Sequence, residues 1–349
     1  MATHHEATHE ALLYEKLDKE RVHCFLCAHH CRIPDGKRGI CQVRENRGGT
    51  LYSLVYGQLI SEAVDPIEKK PLFHFYPGTT SFSIATVGCN FRCTFCQNAD
   101  ISQAPRDRGL ITGRYTPPER VVDGARRHGC RSIAYTYTEP TIFFEYAYDV
   151  CQKAHEAGIA NVFVSNGYMT AETLDYVTSE NAAPLMDAAN IDLKAFRDTF
   201  YREQCGARLQ PVLDSLKRMK QRSVWVEVTT LVIPGLNDSD EELRDIARFV
   251  RNELGADTPW HVSRFHPTYR LMDRPPTPAS SVRRAREIGL EEGLHYVYVG
   301  NLFGDEGEHT YCPRCGVAVI RRLGYTILEH DIRHGACIHC GAPIHGVGL

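Results

Sequence analysis

Cysteine placement carries the most chemistry in this chain. Of fourteen cysteines, eleven stand in three groups: Cys24, Cys27, Cys31 and Cys41; Cys89, Cys93 and Cys96; and Cys312, Cys315, Cys337 and Cys340. Close spacing, with no export signal read at the start, points to thiolate ligands rather than disulfides and to a cytoplasmic setting. Thiolates select zinc, copper(I) or iron–sulfur clusters. The middle group lies in VGCNFRCTFCQN (87–98) and supplies three thiolates. Three can hold three irons of a 4Fe-4S cluster and leave the fourth open, as a catalytic metal keeps a position free for its ligand. The alternative is a zinc ion completed by a distant residue. Cys130, Cys151 and Cys205 stand alone and read as small buried residues.

The outer groups supply four thiolates each. At the C-terminal end, two Cys-x2-Cys hooks, each followed by glycine (Gly316, Gly341), have the spacing of a zinc-ribbon-like site whose metal supplies folding energy. At the N-terminal end the irregular spacing, with His23, His29 and His30 alongside, fits zinc or an auxiliary iron–sulfur cluster equally. The start, MATHHEATHEALLYEKL, has scattered histidines and reads as a polar lead-in, not a ligand set.

These groups need a frame. Strand-like runs recur at 81–87, 132–138, 159–165, 189–193, 224–233, 260–265 and 295–299, separated by amphipathic helical stretches. Thr116-Pro117-Pro118-Glu119 and Ser239-Asp240-Glu241-Glu242 read as capping boxes, and Gly158 and Gly255 as helix stops. Strand–helix alternation implies a parallel sheet with right-handed crossovers, either doubly wound or an α/β barrel. In both, function gathers beyond the carboxyl ends of the strands. The unusual polar residues stand there: the three cysteines after the first strand, then Glu139, Ser165-Asn166-Gly167, Asp192-Leu193-Lys194, Pro234 to Asp238, and His266. The Pro- and Ser-rich stretch 270–281 reads as an ordered surface loop.

Composition excludes several classes. A net charge of −3 gives no positive field for nucleic acid, and no apolar run of ~18 residues is long enough for a membrane span. Neither a Walker-type phosphate loop nor a Gly-x-Gly-x-x-Gly fingerprint is present.

The Cys-x3-Cys-x2-Cys loop with Phe95 before its last cysteine resembles the signature of the radical S-adenosylmethionine (radical SAM) superfamily. DPIEKKPLFHFYPG (65–78), TYTEP (136–140), SNGY (165–168), NIDLKAF (190–196), FYREQCGARLQPVL (200–213) and TTLVIPGLND (229–238) extend it. Together they resemble the AmmeMemoRadiSam branch, which is similar to pyruvate formate-lyase activases. The resemblance implies an α/β fold: a partial (β/α)6 TIM-like barrel over 81–300, between an N-terminal Cys-rich metal-binding segment (1–80) and a C-terminal zinc-ribbon-like segment (301–349). It implies a 4Fe-4S cluster on Cys89, Cys93 and Cys96 that binds S-adenosylmethionine and cleaves it reductively. The resulting 5'-deoxyadenosyl radical would abstract hydrogen from a partner protein, a small molecule or another macromolecule. An electron donor such as flavodoxin or ferredoxin is implied as well. A different class, a non-catalytic electron-transfer or scaffold metalloprotein, would need neither an open iron nor an amino-acid clamp.

Carried over residue by residue, the resemblance puts Phe95 beside the cofactor and Glu139 on the ligand's ammonium. Ser165 and Asn166 would contact the ribose, Lys194 the methionine carboxylate, and Asp192 a nearby polar group. His266 would line the pocket, and 233–235 the adenine end. Each has a plainer reading too: a helix-start glutamate, a Ser-Asn-Gly turn, a strand-end ion pair, a structural histidine. Two departures argue against a glycyl-radical protein as substrate. Tyr137-Thr138-Glu139-Pro140 stands where activases place Gly-Gly-Glu-Pro, so two side chains should keep the backbone from approaching as closely. The multi-cysteine insert after the first motif is also absent.

Overall fold

The computed structural model describes residues 9–178 and 184–349; His4 and His5 of the polar lead-in lie outside them. The centre is an eight-stranded sheet: β1 (Ser61–Pro66), β2 (Thr80–Ala85), β3 (Ser132–Tyr135), β4 (Ala160–Ser165), β5 (Ala188–Asp192), β6 (Trp225–Val232), β7 (Trp260–Arg264) and β8 (Val297–Gly300). All seven runs read from the sequence form strands. Their spatial order is their chain order, so the sheet advances in one direction and never reverses. That excludes the doubly wound alternative, whose order must switch. β2 to β8 are mutually parallel, one strand more than a six-stranded wall.

β1 was not legible. SEAVDP is short, acidic and ends in proline, yet it pairs antiparallel with β2 from Ser61↔Ala85 to Pro66↔Thr80. As an edge strand it tolerates the proline. The sheet therefore begins ahead of the expected boundary at residues 80 and 81.

The helices between parallel strands are α1 (Pro118–Arg127), α2 (Phe144–Glu156), α3 (Ala171–Val177), α4 (Gln210–Gln221), α5 (Asp240–Phe249) and α6 (Ala279–Glu291). Right-handed crossovers in a constant direction send them to one face. Ser239 caps α5 as expected, its Oγ accepting from Glu242 N at 3.2 Å. Thr116 does not cap α1; Pro117 takes that position without a side-chain bond. Thr116 instead follows the strand Arg114–Tyr115, its N donating to Gly57 O and its hydroxyl turned to Glu62 and Arg114. The 270–281 stretch is ordered: Thr277 Oγ1 donates to Val232 O (2.6 Å) and accepts from Phe265 N (3.0 Å).

The inner face of the sheet is lined in register by Ser83, Ala134, Val162 and Ala188. Their small size leaves room for Ile67, Leu72 and Phe75, which pack on Ala134, Val162 and Ala188. The segment is fixed there by Glu227, a fully buried carboxylate. Phe73 N (3.0 Å), His74 N (2.8 Å), Trp225 Nε1 (3.1 Å) and His261 Nε2 (2.7 Å) all meet it. Burial alone would raise its pKa, but the His261 contact and the other donors hold it below the ordinary carboxylate value. His74 is neutral, its pKa lowered by burial to about 4. Its Nδ1 faces the carbonyl of His345 (2.6 Å) and so carries the proton, which leaves Nε2 to accept from Tyr298 Oη (2.5 Å).

The flanking segments are docked on this frame. Near the C-terminus, Thr310–Tyr311, Ala318–Leu323 and Thr326–His330 form an antiparallel sheet. Buried Arg322 reaches from it to Phe73 O (3.0 Å) and lies 4.2 Å from the Phe73 ring centroid. Near the N-terminus, Tyr14–Leu17, Arg21–Cys24 and Cys31–Ile33 form a three-stranded sheet in which Cys24 and Cys31 are paired. Arg44 ties this region to α2 through a buried pair with Glu145 at 2.8 Å. Among the described residues no helix is long and apolar enough to cross a membrane.

Removing the Glu227 carboxylate strands four donors at once, three of them buried. Glu227→Ala should cost about 3–5 kcal/mol of unfolding free energy, read from guanidinium denaturation against the parent chain. A loss under about 1 kcal/mol would show that the donors find other acceptors.

Candidate active site

The three-cysteine loop leaves β2 through Gly88, whose φ of +106° suits glycine, and a Cβ there would meet Val43 Cγ1 at 2.8 Å. The chain therefore passes flush against the N-terminal segment before reaching Cys89. Behind the loop lies the turn Tyr201–Cys205: Arg92 N donates to Cys205 O and Thr94 N to Gln204 O, both at 2.9 Å. Cys93 is buried, and Cys89 and Cys96 are half-buried. Phe91 N donates to Cys89 Sγ (3.3 Å), Asn166 Nδ2 lies 3.9 Å from the same sulfur, and Cys96 Sγ is 3.2 Å from Ser102 Oγ.

Burial pushes the Cys89 thiol well above its ordinary pKa, and Glu139 and the other two thiols push the same way. Burial likewise raises the Cys96 thiol, and these two are held as thiolates by a cationic group that binds them. Asn90 Nδ2 is buried in the same place without a partner. Three thiols with amide donors aimed at sulfur fit an iron–sulfur cluster. Cys205, read as a bland buried residue, proves to lie against Cys93. The neighbouring Cys205 thiol lowers the Cys93 pKa against the effect of burial, and Lys194 acts in the same direction. The four sulfurs do not converge on one ion: among the described residues, no set that includes three of them has its ligand atoms all within 4.8 Å.

Glu139 is 2% exposed and organises the ends of β3 and β4. Oε1 accepts from Thr141 N (3.0 Å), Thr141 Oγ1 (2.5 Å) and Ser165 Oγ (2.8 Å); Oε2 accepts from Asn166 N (2.8 Å). Burial raises its pKa, and these donors oppose the shift. Oε2 keeps capacity for a further donor. The Ser165 hydroxyl is engaged inside the protein, donating to Glu139 and accepting from Gly167 N at 3.0 Å. Asn166 Nδ2 donates to Asn90 Oδ1 at 2.7 Å, which links the β4 turn to the cysteine loop. Gly167, at φ +68°, makes that turn; a Cβ would meet Ile191 Cγ2 at 2.8 Å.

Asp192 and Lys194 form the strand-end pair, Nζ to Oδ2 at 2.8 Å. Burial works against the lysine charge, but Asp192 and the thiols of Cys93 and Cys205 keep its pKa well above the usual value. Its ammonium lies 5.8 Å from the ring centroid of buried Phe95, so it is beside the cysteine loop and charged. Asn237, one of the residues after β6, proves to be the organiser of that corner. Its Nδ2 donates to Lys194 O (2.7 Å) and Leu231 O (2.9 Å), and its Oδ1 accepts from Ile233 N (2.6 Å). His266 stands beyond β7 and is exposed.

The glycine-replacing residue Tyr137 takes φ +62°, the left-handed conformation glycine would adopt. Contacts with Asp65 and with Asn98 Nδ2 (2.7 Å to its carbonyl) hold it there, against a cost of roughly 1–2 kcal/mol.

The C-terminal tetrad has a different geometry. Cys312, Cys315, Cys337 and Cys340 form the one set, among the described residues, whose metal-ligating atoms all lie within 4.8 Å of one another. Cys312–Cys340 and Cys315–Cys337 are 3.6 and 3.8 Å apart. A tetrahedral ion with ~2.3 Å bonds to sulfur requires edges of about 3.8 Å.

Residues 83–250 match the family model of the Radical SAM superfamily. An uncharacterized Methanocaldococcus jannaschii protein, MJ0808, is 49% identical over 96% of this chain and 98% of its own length. A putative glycyl-radical enzyme activating enzyme of the same organism, MJ1632, is 22% identical over 60% of this chain and 76% of its own. Among solved structures, a radical SAM methyltransferase from Sphaerobacter thermophilus superposes with a TM-score of 0.52 at 18% identity, covering 72% of each chain. That likeness concerns the fold.

Cys315 is exposed, so its loss removes little packing and reports on the metal alone. Cys315→Ala should lower bound metal by one equivalent in elemental analysis and reduce the thermal midpoint by several degrees. Unchanged metal content would exclude the tetrad as a ligand set.

Proposed function

The chain belongs to the radical SAM superfamily, and from that premise we propose that it generates a 5'-deoxyadenosyl radical to abstract hydrogen from a substrate. The superfamily implies a 4Fe-4S cluster and S-adenosylmethionine; together they supply reductive cleavage of a carbon–sulfur bond. We read the sequentially wound sheet as a partial barrel with this chemistry at the carboxyl ends of its strands. The observation that carries the reading is the convergence of Glu139, Asn166 and Lys194 on the three-cysteine loop through the Asn166–Asn90 bond and the Lys194–Phe95 contact. An electron carrier has no use for an anionic and a cationic group placed beside its cluster.

Within this reading the chain's residues have separate tasks. Cys89, Cys93 and Cys96 would hold the cluster. Glu139 would accept the ammonium of the methionyl group on Oε2, positioned by Thr141 and Ser165. Ser165 therefore supports Glu139 in preference to contacting the ribose directly, whereas Asn166 and Gly167 shape that side. Lys194 would meet the methionyl carboxylate, with Asp192 holding its ammonium and Asn237 its backbone. Phe95 would exclude water, which a carbon radical requires. His266 would border the entrance. The tetrad at Cys312, Cys315, Cys337 and Cys340 would bind structural zinc. Relatives named as activating enzymes support a protein substrate; a flavodoxin- or ferredoxin-type donor would supply the electron.

With dithionite and S-adenosylmethionine, the anaerobically reconstituted chain should release 5'-deoxyadenosine, quantified by chromatography, and Cys93→Ala should release none. Glu139→Gln should retain cluster absorbance but lower the rate at least tenfold, with weaker cofactor binding in calorimetry. Absence of both release and binding in the parent chain would end this reading.

A further inference from the structure

The N-terminal cysteines fit zinc or a cluster equally on spacing; their geometry separates the two. Cys24, Cys27, Cys31 and Cys41 line one mostly enclosed cavity whose wall also includes Ile142 and Arg44. No three of their sulfurs lie within 4.8 Å of one another, in contrast to the C-terminal tetrad. A mononuclear ion would draw the four to edges of about 3.8 Å. Thiolates bound to four different irons are instead held apart by the width of the iron–sulfide core. The sulfurs of Cys89, Cys93 and Cys96 likewise do not all lie within 4.8 Å of one another.

A second observation points to an anionic occupant. Arg44 is 1% exposed and lines this cavity. Its Nη2 is satisfied by Glu145 Oε1 (2.8 Å) and Leu12 O (2.6 Å). Its Nε and Nη1 are buried without partners. Unpaired guanidinium donors are costly to bury. A cluster carrying four thiolates and its own sulfides offers negative charge and several sulfur acceptors.

The geometry points to a second 4Fe-4S cluster, ligated at all four irons by Cys24, Cys27, Cys31 and Cys41, with Arg44 as its hydrogen-bond donor. With no open iron, its chemistry would be one-electron transfer: a low-potential one-electron donor would reduce it, and it would return to the oxidised state by reducing the cluster of the Cys89 loop, a step that rests on the function proposed above. It abuts the three-cysteine loop. A Cβ on Gly88 would lie 3.5 Å from Cys41 O and from Ile142 Cδ1, and His29 Nε2 is 2.8 Å from Asn90 O.

Iron, zinc and acid-labile sulfide should be counted on the full chain reconstituted anaerobically with iron, sulfide and zinc. The expected result is about eight irons, eight sulfides and one zinc per chain. Substituting Cys89, Cys93 and Cys96 together by serine should leave about four irons and four sulfides, with one cluster signal in electron paramagnetic resonance after reduction. Four irons with two zincs in the parent chain, or an iron-free triple variant holding two zincs, would overturn the proposal. Equal iron in parent and triple variant would support this cluster while refuting a cluster on the Cys89 loop, so the two readings fail separately.

Discussion

One buried carboxylate decides which end of the sheet is left for chemistry. Glu227 sits near the start of β6 on the inner face and collects donors from Phe73, His74, Trp225 and His261. A carboxylate taken out of water must find such partners, and here two of them are backbone amides of the segment at 67–76. That segment consequently covers the small-residue layer of Ala134, Val162 and Ala188. The polar residues that remain stand past the opposite, carboxyl ends of the strands. Arg322 and His74 extend the same knot to the C-terminal segment, so its docking depends on the same carboxylate.

The second organising carboxylate, Glu139, works at the other end. Its four donors come from its own turn and from the end of β4, so two loops that share no sequence motif are fixed as one surface. The Asn166–Asn90 bond passes that order on to the cysteine loop. Both carboxylates meet the cost of burial by hydrogen bonding, but Glu227 is ringed by donors from four residues, whereas Glu139 keeps capacity on Oε2. That difference separates a structural anion from one able to receive a ligand.

The three cysteine groups place one residue type in three different surroundings. At the C-terminus the sulfurs are drawn together around a point, and an exposed ligand is tolerated. In the loop after β2 they are spread, set among amide donors, and backed by Lys194 and Cys205. At the N-terminus they are spread around a cavity with an unsatisfied guanidinium. Distances between sulfurs and the character of their neighbours, more than ligand count, distinguish the three.

Local pattern determined a good deal by itself. Strand and helix periodicity located all seven parallel strands, because those runs are buried and read as apolar independent of their partners. Cysteine spacing marked the three thiolate groups, and strand-end positions brought Glu139, Asn166 and Lys194 forward as a set. What depends on contacts between distant segments was not legible. β1 is a strand only because β2 offers it an edge, and Thr116 fails as a cap because Gly57 claims its backbone. Cys205 looked solitary until the 201–205 turn folded behind Cys93. Tyr137 takes glycine's conformation through contacts with Asp65 and Asn98 that its own turn does not announce. Strand order too was decided in three dimensions: alternating elements permit either winding, and only the pairing of every strand with its chain neighbour removed the choice. Sequence carries preferences of single segments, and these outcomes are energies between segments, which exist only once the chain has brought them together.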